Sequence, residues 1–122
     1  MSWLTGGCHC GAVRFRVRTQ DFTAVKCNCS ICAMKGFLHL IVAKDDFELI
    51  AGEDNLSEYN FNTGVARHLF CSTCGIHSFY VPRSHPNGFD INVSCLDGDA
   101  AEQFVISPFD GRNWEAHVDE LG

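Results

Sequence analysis

A strict alternation of apolar and polar residues stands out near the start of the chain. Between positions 12 and 18, Val13, Phe15 and Val17 alternate with arginines. Because successive side chains of a strand point to opposite faces, this pattern predicts a half-buried strand over Ala12–Arg18. The polar positions are Arg14, Arg16 and Arg18. The simplest interpretation of these arginines is a solvated face, and the alternative is that they bind an anionic substrate.

Further short apolar runs along the chain predict more strands. Gly, Asn, Asp or Pro residues separate most of these runs, as is typical of turns between strands. Together they predict an all-β fold of mainly antiparallel short strands. One or two short C-terminal helices are also expected, one after Asp97 or Asp99 as N-cap and another across Asn113–Glu120. The runs are Phe37–Ala43, Phe47–Ala51, Leu56–Phe61, Ala66–Phe70, His77–Val81 and Phe89–Ser94.

The composition fits one ordinary folded domain over residues 1–122. Hydrophobic residues make up 46% of the 122 positions and charged residues 20%, which argues against intrinsic disorder. The formal net charge of −6 argues against a nucleic-acid partner. No apolar run approaches the roughly 20 residues of a membrane span, and the N-terminus lacks a secretory signal pattern. The sequence therefore predicts a cytoplasmic protein without a membrane partner.

Cysteine spacing is the strongest chemical signal in the sequence. The chain has 8 cysteines, and all but one of them fall into three tight clusters. Neighbouring cysteines one or two residues apart are awkward disulfide partners but suitable ligands of a single metal ion. Zinc is the expected metal, ahead of disulfides and iron–sulfur ligation. The clusters are Cys8-x-Cys10, Cys27-x-Cys29-x-x-Cys32 and Cys71-x-x-Cys74.

The first and last clusters are predicted to form one structural zinc site. Each is followed by a glycine, Gly11 or Gly75, which supplies the positive φ that a chain wrapping its amides around a sulfur often needs. Four thiolates would close a tetrahedral site and staple the N-terminal strand to a distant turn. This group, the outer cluster, consists of Cys8, Cys10, Cys71 and Cys74.

The remaining three cysteines, Cys27, Cys29 and Cys32, form the middle cluster. Three protein ligands with an open fourth position are typical of a catalytic zinc. Three thiolates also leave the metal more Lewis acidic than four do, so a soft ligand such as a substrate thiol would suit the open position. The alternative is that a fourth protein ligand, Cys95 or a histidine, closes a second structural site.

The motifs that contain the clusters resemble the glutathione-dependent formaldehyde-activating enzyme family. They are Gly6–Phe15 (GGCHCGAVRF), Cys27–Cys32 (CNCSIC) and Phe70–Gly75 (FCSTCG). The likeness extends from about Thr5 to Trp114. Two further stretches, at 59–63 (YNFNT) and 79–84 (FYVPRS), are similar to the centromere protein V-like branch of that family.

The resemblance implies a fold and an activity. The fold would be a tent-like arrangement of antiparallel sheets of the Mss4 type. Two zinc ions would bind per chain, a structural one at the outer cluster and a labile catalytic one at Cys27, Cys29 and Cys32. The activity would be that of a carbon–sulfur lyase that joins glutathione to formaldehyde and gives S-hydroxymethylglutathione.

Binding of a glutathione-like thiol would require cations for its carboxylates. The candidates near the clusters or the family motifs are Lys26, Lys35, Arg67 and Arg83. Arg83, within the stretch at 79–84, is the preferred one, although each of the four also fits an exposed surface charge.

Two histidines and the eighth cysteine are further candidates. The strand period places His39 on the face opposite Leu38 and Leu40. We expect a satisfied or solvent-facing side chain there, with a general base near the middle cluster as the alternative. His77 has the same two interpretations. Cys95 is expected to be a small buried hydrophobe, and the alternatives are a zinc ligand or a redox-active thiol.

Two other classes of protein compete with the enzyme. A non-catalytic two-zinc module for protein–protein contact would hold both metals inertly and show no thiol dependence. A thiol- and zinc-based redox sensor would release zinc on mild oxidation as the middle cluster forms disulfides. The enzyme hypothesis requires that the middle zinc is exchangeable and within reach of thiols.

Overall fold

The computed structural model describes residues 3–27, 30–60, 67–82 and 87–109. These residues form short strands, one short helix and several 3-10 turns. The strands are β1 (Trp3–Gly7), β2 (Arg14–Arg18), β3 (Thr23–Cys27), β4 (Leu38–Ala43), β5 (Phe47–Ala51), β6 (Leu56–Tyr59), β7 (His68–Cys71), β8 (Phe79–Tyr80), β9 (Gly88–Asn92) and β10 (Val105–Phe109). The helix is α1 (Ser30–Lys35), and the 3-10 turns are Lys44–Asp46, Glu53–Asn55, Val93–Cys95 and Ala100–Gln103.

The strands form three sheets. The first has the order β1-β2-β5, the second β10-β3-β4-β9-β8, and the third pairs β6 with β7. All of these pairs are antiparallel except that of β10 with β3. The mainly antiparallel all-β architecture predicted from the sequence is therefore confirmed. Isolated bridges between Gly6 and Leu96 and between Arg67 and Val81 connect the sheets.

The alternating strand near the N-terminus faces the core as predicted. Val13, Phe15 and Val17 are fully buried. The Phe15 ring lies 5.6 Å from that of Phe47 in its own sheet and 6.0 Å from that of Phe79 in the five-stranded sheet. These offset and edge contacts between aromatic rings add to the apolar area that the two sheets bury against each other.

The five-stranded sheet is buried on both faces, and the two faces differ in chemistry. Residues paired across an antiparallel ladder share a face, and neighbours along a strand alternate. Ladder pairs on the first face include Leu40 with Ile91, which pack into the apolar core. On the opposite face, His39 and Asp90 are buried instead. This opposite face, here called the polar face, also carries Phe37 and Tyr80 at neighbouring register positions.

Four elements escaped the sequence prediction, each for a local reason. β1 and β3 show no alternation, and α1 is a helix of only six residues. β10 contains Pro108, which disfavours a strand but is tolerated at the edge of a sheet, where β10 lies. It pairs in parallel with β3, which is about 80 residues away in the sequence and gives no local signal.

The expected C-terminal helices are tested only in part. The chain forms a 3-10 turn over Ala100–Gln103 with Asp99 as its N-cap residue, although the Asp99 side chain makes no capping hydrogen bond. The second expected helix, Asn113–Glu120, lies outside the described residues. In the part of the chain that the structure covers, no helix has the length and apolar character needed to cross a membrane.

Candidate functional site

The sulfurs of the outer cluster converge although their residues are far apart in the sequence. The Sγ atoms of Cys8, Cys10, Cys71 and Cys74 all lie within 4.8 Å of one another. Cys10 Sγ is 3.6 Å from Cys8 Sγ and 3.6 Å from Cys71 Sγ. The structure therefore brings together the four residues that the spacing had grouped.

These distances suit a tetrahedral thiolate site. A Zn–S bond of about 2.3 Å gives S–S edges of about 3.8 Å in a regular tetrahedron. The short separations of 3.6 Å in the outer cluster are close to that value. The group can therefore hold a metal ion, and an all-sulfur donor set favours zinc.

Backbone amides around the outer cluster point at its sulfurs. The Val13 amide donates a hydrogen bond to Cys8 Sγ at 3.3 Å. The amides of Thr73 and Cys74 donate to Cys71 Sγ at 3.4 and 3.5 Å. Such hydrogen bonds spread the negative charge of a metal-bound thiolate and fix its orientation.

The glycines that follow the two outer motifs adopt the expected left-handed conformation. φ is 83° at Gly11 and 78° at Gly75. A Cβ at either position would meet no other atom within 4 Å. Backbone conformation, and not lack of space, therefore favours glycine at both turns.

The electrostatics of the outer cluster call for a cation. Hydrogen bonds from backbone amides, above all that of Cys74, lower the pKa of Cys71 to about 6. Although the amide of Ala12 favours the thiolate of Cys10, desolvation and the neighbouring sulfurs raise the pKa of Cys10 to about 11. The thiolate form of Cys71 is thus stabilised, whereas the thiolate form of Cys10 is destabilised. A divalent cation relieves this conflict because it bonds to all four sulfurs and offsets two of their four negative charges.

Two members of the middle cluster, Cys27 and Cys32, belong to described elements. Cys27 is the last residue of β3 and is half-buried. Cys32 belongs to α1, which begins at Ser30. Cys29 and the side chain of Cys32 lie outside the described residues, so a joint metal site of these three cysteines stays a prediction.

His39 is buried on the polar face, so the expectation of a solvent-facing side chain is wrong. The alternative expectation, a histidine whose hydrogen bonds are satisfied within the protein, holds for one of its two ring nitrogens. Its Nδ1–H donates to Asp90 Oδ2 at 2.6 Å, and the two side chains are only 5% and 1% exposed. Because an ionised carboxylate only accepts hydrogen bonds, this contact leaves the lone pair of a neutral His39 on Nε2.

Aromatic rings and a lysine surround this histidine. The His39 ring lies 4.6 Å from that of Phe37, and the Tyr80 hydroxyl is 3.4 Å from His39 Nδ1. Next to them, His68 stacks on Tyr80 at 4.9 Å and accepts a hydrogen bond at Nδ1 from Lys35 Nζ at 3.1 Å. Lys35 Nζ also lies 4.4 Å from the centroid of the Tyr80 ring. Lys35, one of the predicted cations, thus contacts the side chains of the polar face.

The other predicted cations have different surroundings. Lys26 is exposed, and Arg67 is exposed with its Nε donating to Glu58 Oε1 at 2.9 Å. Arg83 lies outside the described residues. Among the predicted cations that the structure describes, only Lys35 contacts the polar face of the five-stranded sheet.

The three arginines of β2 form ion pairs on the protein surface. Each pairs with a carboxylate, as Arg14 does with Asp97. The guanidinium groups of Arg16 and Arg18 also lie 4.3 and 4.8 Å from the ring of Trp3. Such exposed pairs contribute little to stability but satisfy the charges. The arrangement supports the solvated face and not an anion-binding site. The other two pairs are Arg16–Glu48 and Arg18–Asp46.

Unlike His39, His77 has no hydrogen bond to a carboxylate among the described residues. Its ring packs 5.2 Å from that of Phe70. Burial, together with the positive charge of Lys35, lowers the pKa of His77 to about 4. His77 is therefore neutral at neutral pH.

Cys95 lies beside the outer cluster without joining it. The group of four converging sulfurs leaves Cys95 out, and this residue is half-buried at the end of the 3-10 turn Val93–Cys95. Desolvation, followed by the negative charges of Cys8 and Cys74, raises the pKa of the Cys95 thiol to about 11.

Cys95 is therefore expected to be a slow nucleophile. A pKa near 11 instead of 9.0 lowers its thiolate fraction at pH 8 by about 100-fold. Alkylation of the native protein with iodoacetamide, followed by peptide mass spectrometry, should modify Cys95 more slowly by about that factor than in the denatured chain. Equal rates in the two states would contradict this prediction.

Sequence reasoning missed several residues of the polar face. Asp90 and His68 fall within predicted strands to which no role is assigned, and Tyr80 is part of the predicted strand His77–Val81 and of the stretch at 79–84. A signal did exist, since Asp90 alternates with Phe89 and Ile91 as a charged residue within an apolar strand. Its partner could not be identified from the sequence because His39 is 51 residues away.

The chain is similar to proteins of a known family. The family model described as "Glutathione-dependent formaldehyde-activating enzyme" matches residues 3–108. A protein of Halomonas elongata that carries this enzyme name provisionally is 34% identical over 105 residues, which cover 79% of this chain and 67% of the relative.

A solved structure shares the fold. The crystal structure of a Rhodobacter sphaeroides protein superposes with a TM-score of 0.73 at 37% sequence identity. The alignment covers 78% of this chain and 89% of that chain.

Proposed function

The chain belongs to the glutathione-dependent formaldehyde-activating enzyme family, and from this premise we propose that it is a zinc enzyme acting on a glutathione-like thiol and a small aldehyde. The reaction forms or breaks a bond between the thiol sulfur and the carbonyl carbon, which makes the enzyme a carbon–sulfur lyase. The product of the forward reaction with glutathione and formaldehyde is S-hydroxymethylglutathione.

The observation that carries the proposal is the convergence of the outer cluster. Its four sulfurs meet within 4.8 Å, and Cys27, the member of the middle cluster whose side chain the structure describes, is not among them. A closed set of four ligands has no position for a substrate and acts structurally. The cysteines of the Cys27–Cys32 motif are then available for a second site with three protein ligands. We therefore propose two zinc ions per chain, a structural one and a labile catalytic one.

The catalytic site consists of Cys27, Cys29 and Cys32. Zinc bound there would offer a fourth coordination position to a substrate thiol and lower the pKa of that thiol. Cys27 lies at the end of β3, and Lys35 brings a positive charge to the neighbouring polar face. Arg83 is proposed to bind a carboxylate of the thiol substrate.

Native mass spectrometry of the zinc-loaded protein across a glutathione series tests this proposal. The expected result is two zinc ions per chain, with glutathione adding to the protein or removing one of the two zincs. A Cys27→Ser variant should lose this response while keeping the zinc of the outer cluster. The matched control Cys95→Ser removes a cysteine outside both clusters and should behave like the wild type.

Two outcomes would replace the proposal. Two zinc ions that are indifferent to glutathione would indicate a non-catalytic protein-interaction module. Zinc loss under mild oxidation, with disulfides among Cys27, Cys29 and Cys32 and no glutathione adduct, would indicate a redox sensor. If glutathione binds, formation of the thiohemiacetal from formaldehyde is then measured by NMR against the uncatalysed rate.

A further inference from the structure

Two buried polar atoms on the polar face lack a partner. Neither His39 Nε2 nor Asp90 Oδ1 has a hydrogen-bond partner among the described residues, although both are shielded from solvent. An unsatisfied buried polar group costs about 1–3 kcal/mol. Buried polar atoms in native proteins nearly always have a hydrogen-bond partner, so this unpartnered pair marks a place where a further group can bind or a proton can be held.

The strand register places this pair of residues next to the middle cluster. Val25 of β3 lies directly opposite His39 of β4. Cys27 follows Val25 by two positions, so it shares the same face of the sheet. Residues two apart on a strand are separated by about 6.6 Å along its axis. The imidazole of His39 therefore stands one ladder position from the first cysteine of the middle cluster.

We propose that His39 accepts the proton of the substrate thiol through Nε2 and that Asp90 is the positioning residue that holds its ring. This inference rests on the proposed function, because it assigns a proton acceptor to the thiol site described there. The hydrogen bond from His39 Nδ1–H to Asp90 Oδ2 directs the lone pair to Nε2.

The proposed reaction conserves atoms and charge. The thiol proton moves to His39 Nε2, and the electrons of the S–H bond stay on sulfur. The thiolate then attacks the carbonyl carbon of the aldehyde, forming the C–S bond while the π electrons of the carbonyl move to its oxygen. The imidazolium returns its proton to that oxygen. No oxidant or reductant is consumed, and the reverse sequence cleaves the C–S bond.

The surroundings of His39 are suited to holding a proton briefly. Asp90, from β9, offsets the charge of the imidazolium in a site that excludes water. Tyr80, from β8, places its hydroxyl near Nδ1. Lys35 of α1 donates a hydrogen bond to His68 of β7, so two further titratable groups lie at the edge of the polar face.

Proton release during glutathione binding measures this role without turnover. Isothermal titration calorimetry of the zinc-loaded protein, in buffers of different ionisation enthalpy, gives the number of protons released per thiol bound. A thiol that binds as the thiolate must lose its proton, so about one proton reaches the buffer when no protein group accepts it. Near pH 7 we expect almost none from the wild type and about one from His39→Gln.

A matched control is available in His77. It is also a partly buried histidine with an unpartnered ring nitrogen, Nδ1, but burial and the positive charge of Lys35 lower its pKa, and it has no carboxylate partner among the described residues. His77→Gln should therefore release as few protons as the wild type. Asp90→Asn removes the charge that stabilises the imidazolium and should shift the release towards the His39→Gln value. Zinc content should be the same in all four proteins.

The outcomes separate the two proposals. If the wild type binds no glutathione, the proposed function fails and this inference fails with it. If the wild type binds glutathione and itself releases about one proton, only the role of His39 is overturned, whether or not the variants fold. Loss of a zinc ion from His39→Gln would also overturn it, because His39 would then be a metal ligand.

Discussion

Replacing Cys71 by serine is expected to abolish metal binding at the outer cluster and to unfold the chain. Cys71 Sγ is buried and close to Cys10 Sγ, from which it is separated by 61 residues in the sequence. A structural zinc contributes folding free energy directly, and a neutral hydroxyl replaces a thiolate poorly. The loss should approach the whole stability of an ordinary domain, about 5–15 kcal/mol.

Zinc analysis and thermal unfolding followed by circular dichroism measure this effect. Cys71→Ser should bind at least one zinc ion fewer than the wild type and show no cooperative transition. Cys95→Ser, the same substitution beside the cluster, should keep both the zinc content and the melting temperature. A Cys71→Ser protein with the full zinc content would show that the outer cluster is not the structural site.

Truncation of Phe15 to alanine is expected to destabilise the protein by about 3–5 kcal/mol. Its side chain is fully buried and touches rings in two sheets, those of Phe47 and Phe79. The substitution removes apolar surface that folding buries, and it leaves a cavity because the surrounding sheets can relax only partly.

Urea unfolding at equilibrium, monitored by tryptophan fluorescence, gives the loss in the free energy of unfolding. Phe15→Leu is the graded control and should lose markedly less, because it preserves most of the buried volume. Ile50→Ala, at a largely exposed position of β5, should stay within about 0.5 kcal/mol of the wild type. A loss below about 1 kcal/mol in Phe15→Ala would contradict the packing described here.

Local patterns in the sequence predicted those elements that bury one face. β2 carries a strict alternation because one side packs on the core, and Val13, Phe15 and Val17 are buried as the pattern required. β10 could not be predicted in this way. Its pairing with β3 joins distant segments, and two of its apolar residues, Val105 and Ile106, are exposed.

The sequence by itself determined the cysteine chemistry. Spacings of one and two residues, each motif followed by a glycine, paired Cys8 with Cys10 and Cys71 with Cys74. Short spacing fixes which sulfurs of one motif can face the same ion, whereas the fold brings together the two motifs, which are 61 residues apart at Cys10 and Cys71. The same reasoning separated the middle cluster as a set of three.

Only the tertiary structure decided the role of the polar face. The alternation around His39 predicted which face it occupies, but it could not show that this face is buried or that Asp90 lies diagonally across from His39 on β9. A hydrogen bond between residues 51 positions apart depends on the register of β4 against β9. Register is set by packing of the whole sheet and not by the residues near either partner. The sequence therefore indicated the candidate metal ligands, and the fold determined which histidine and carboxylate are buried together on the polar face.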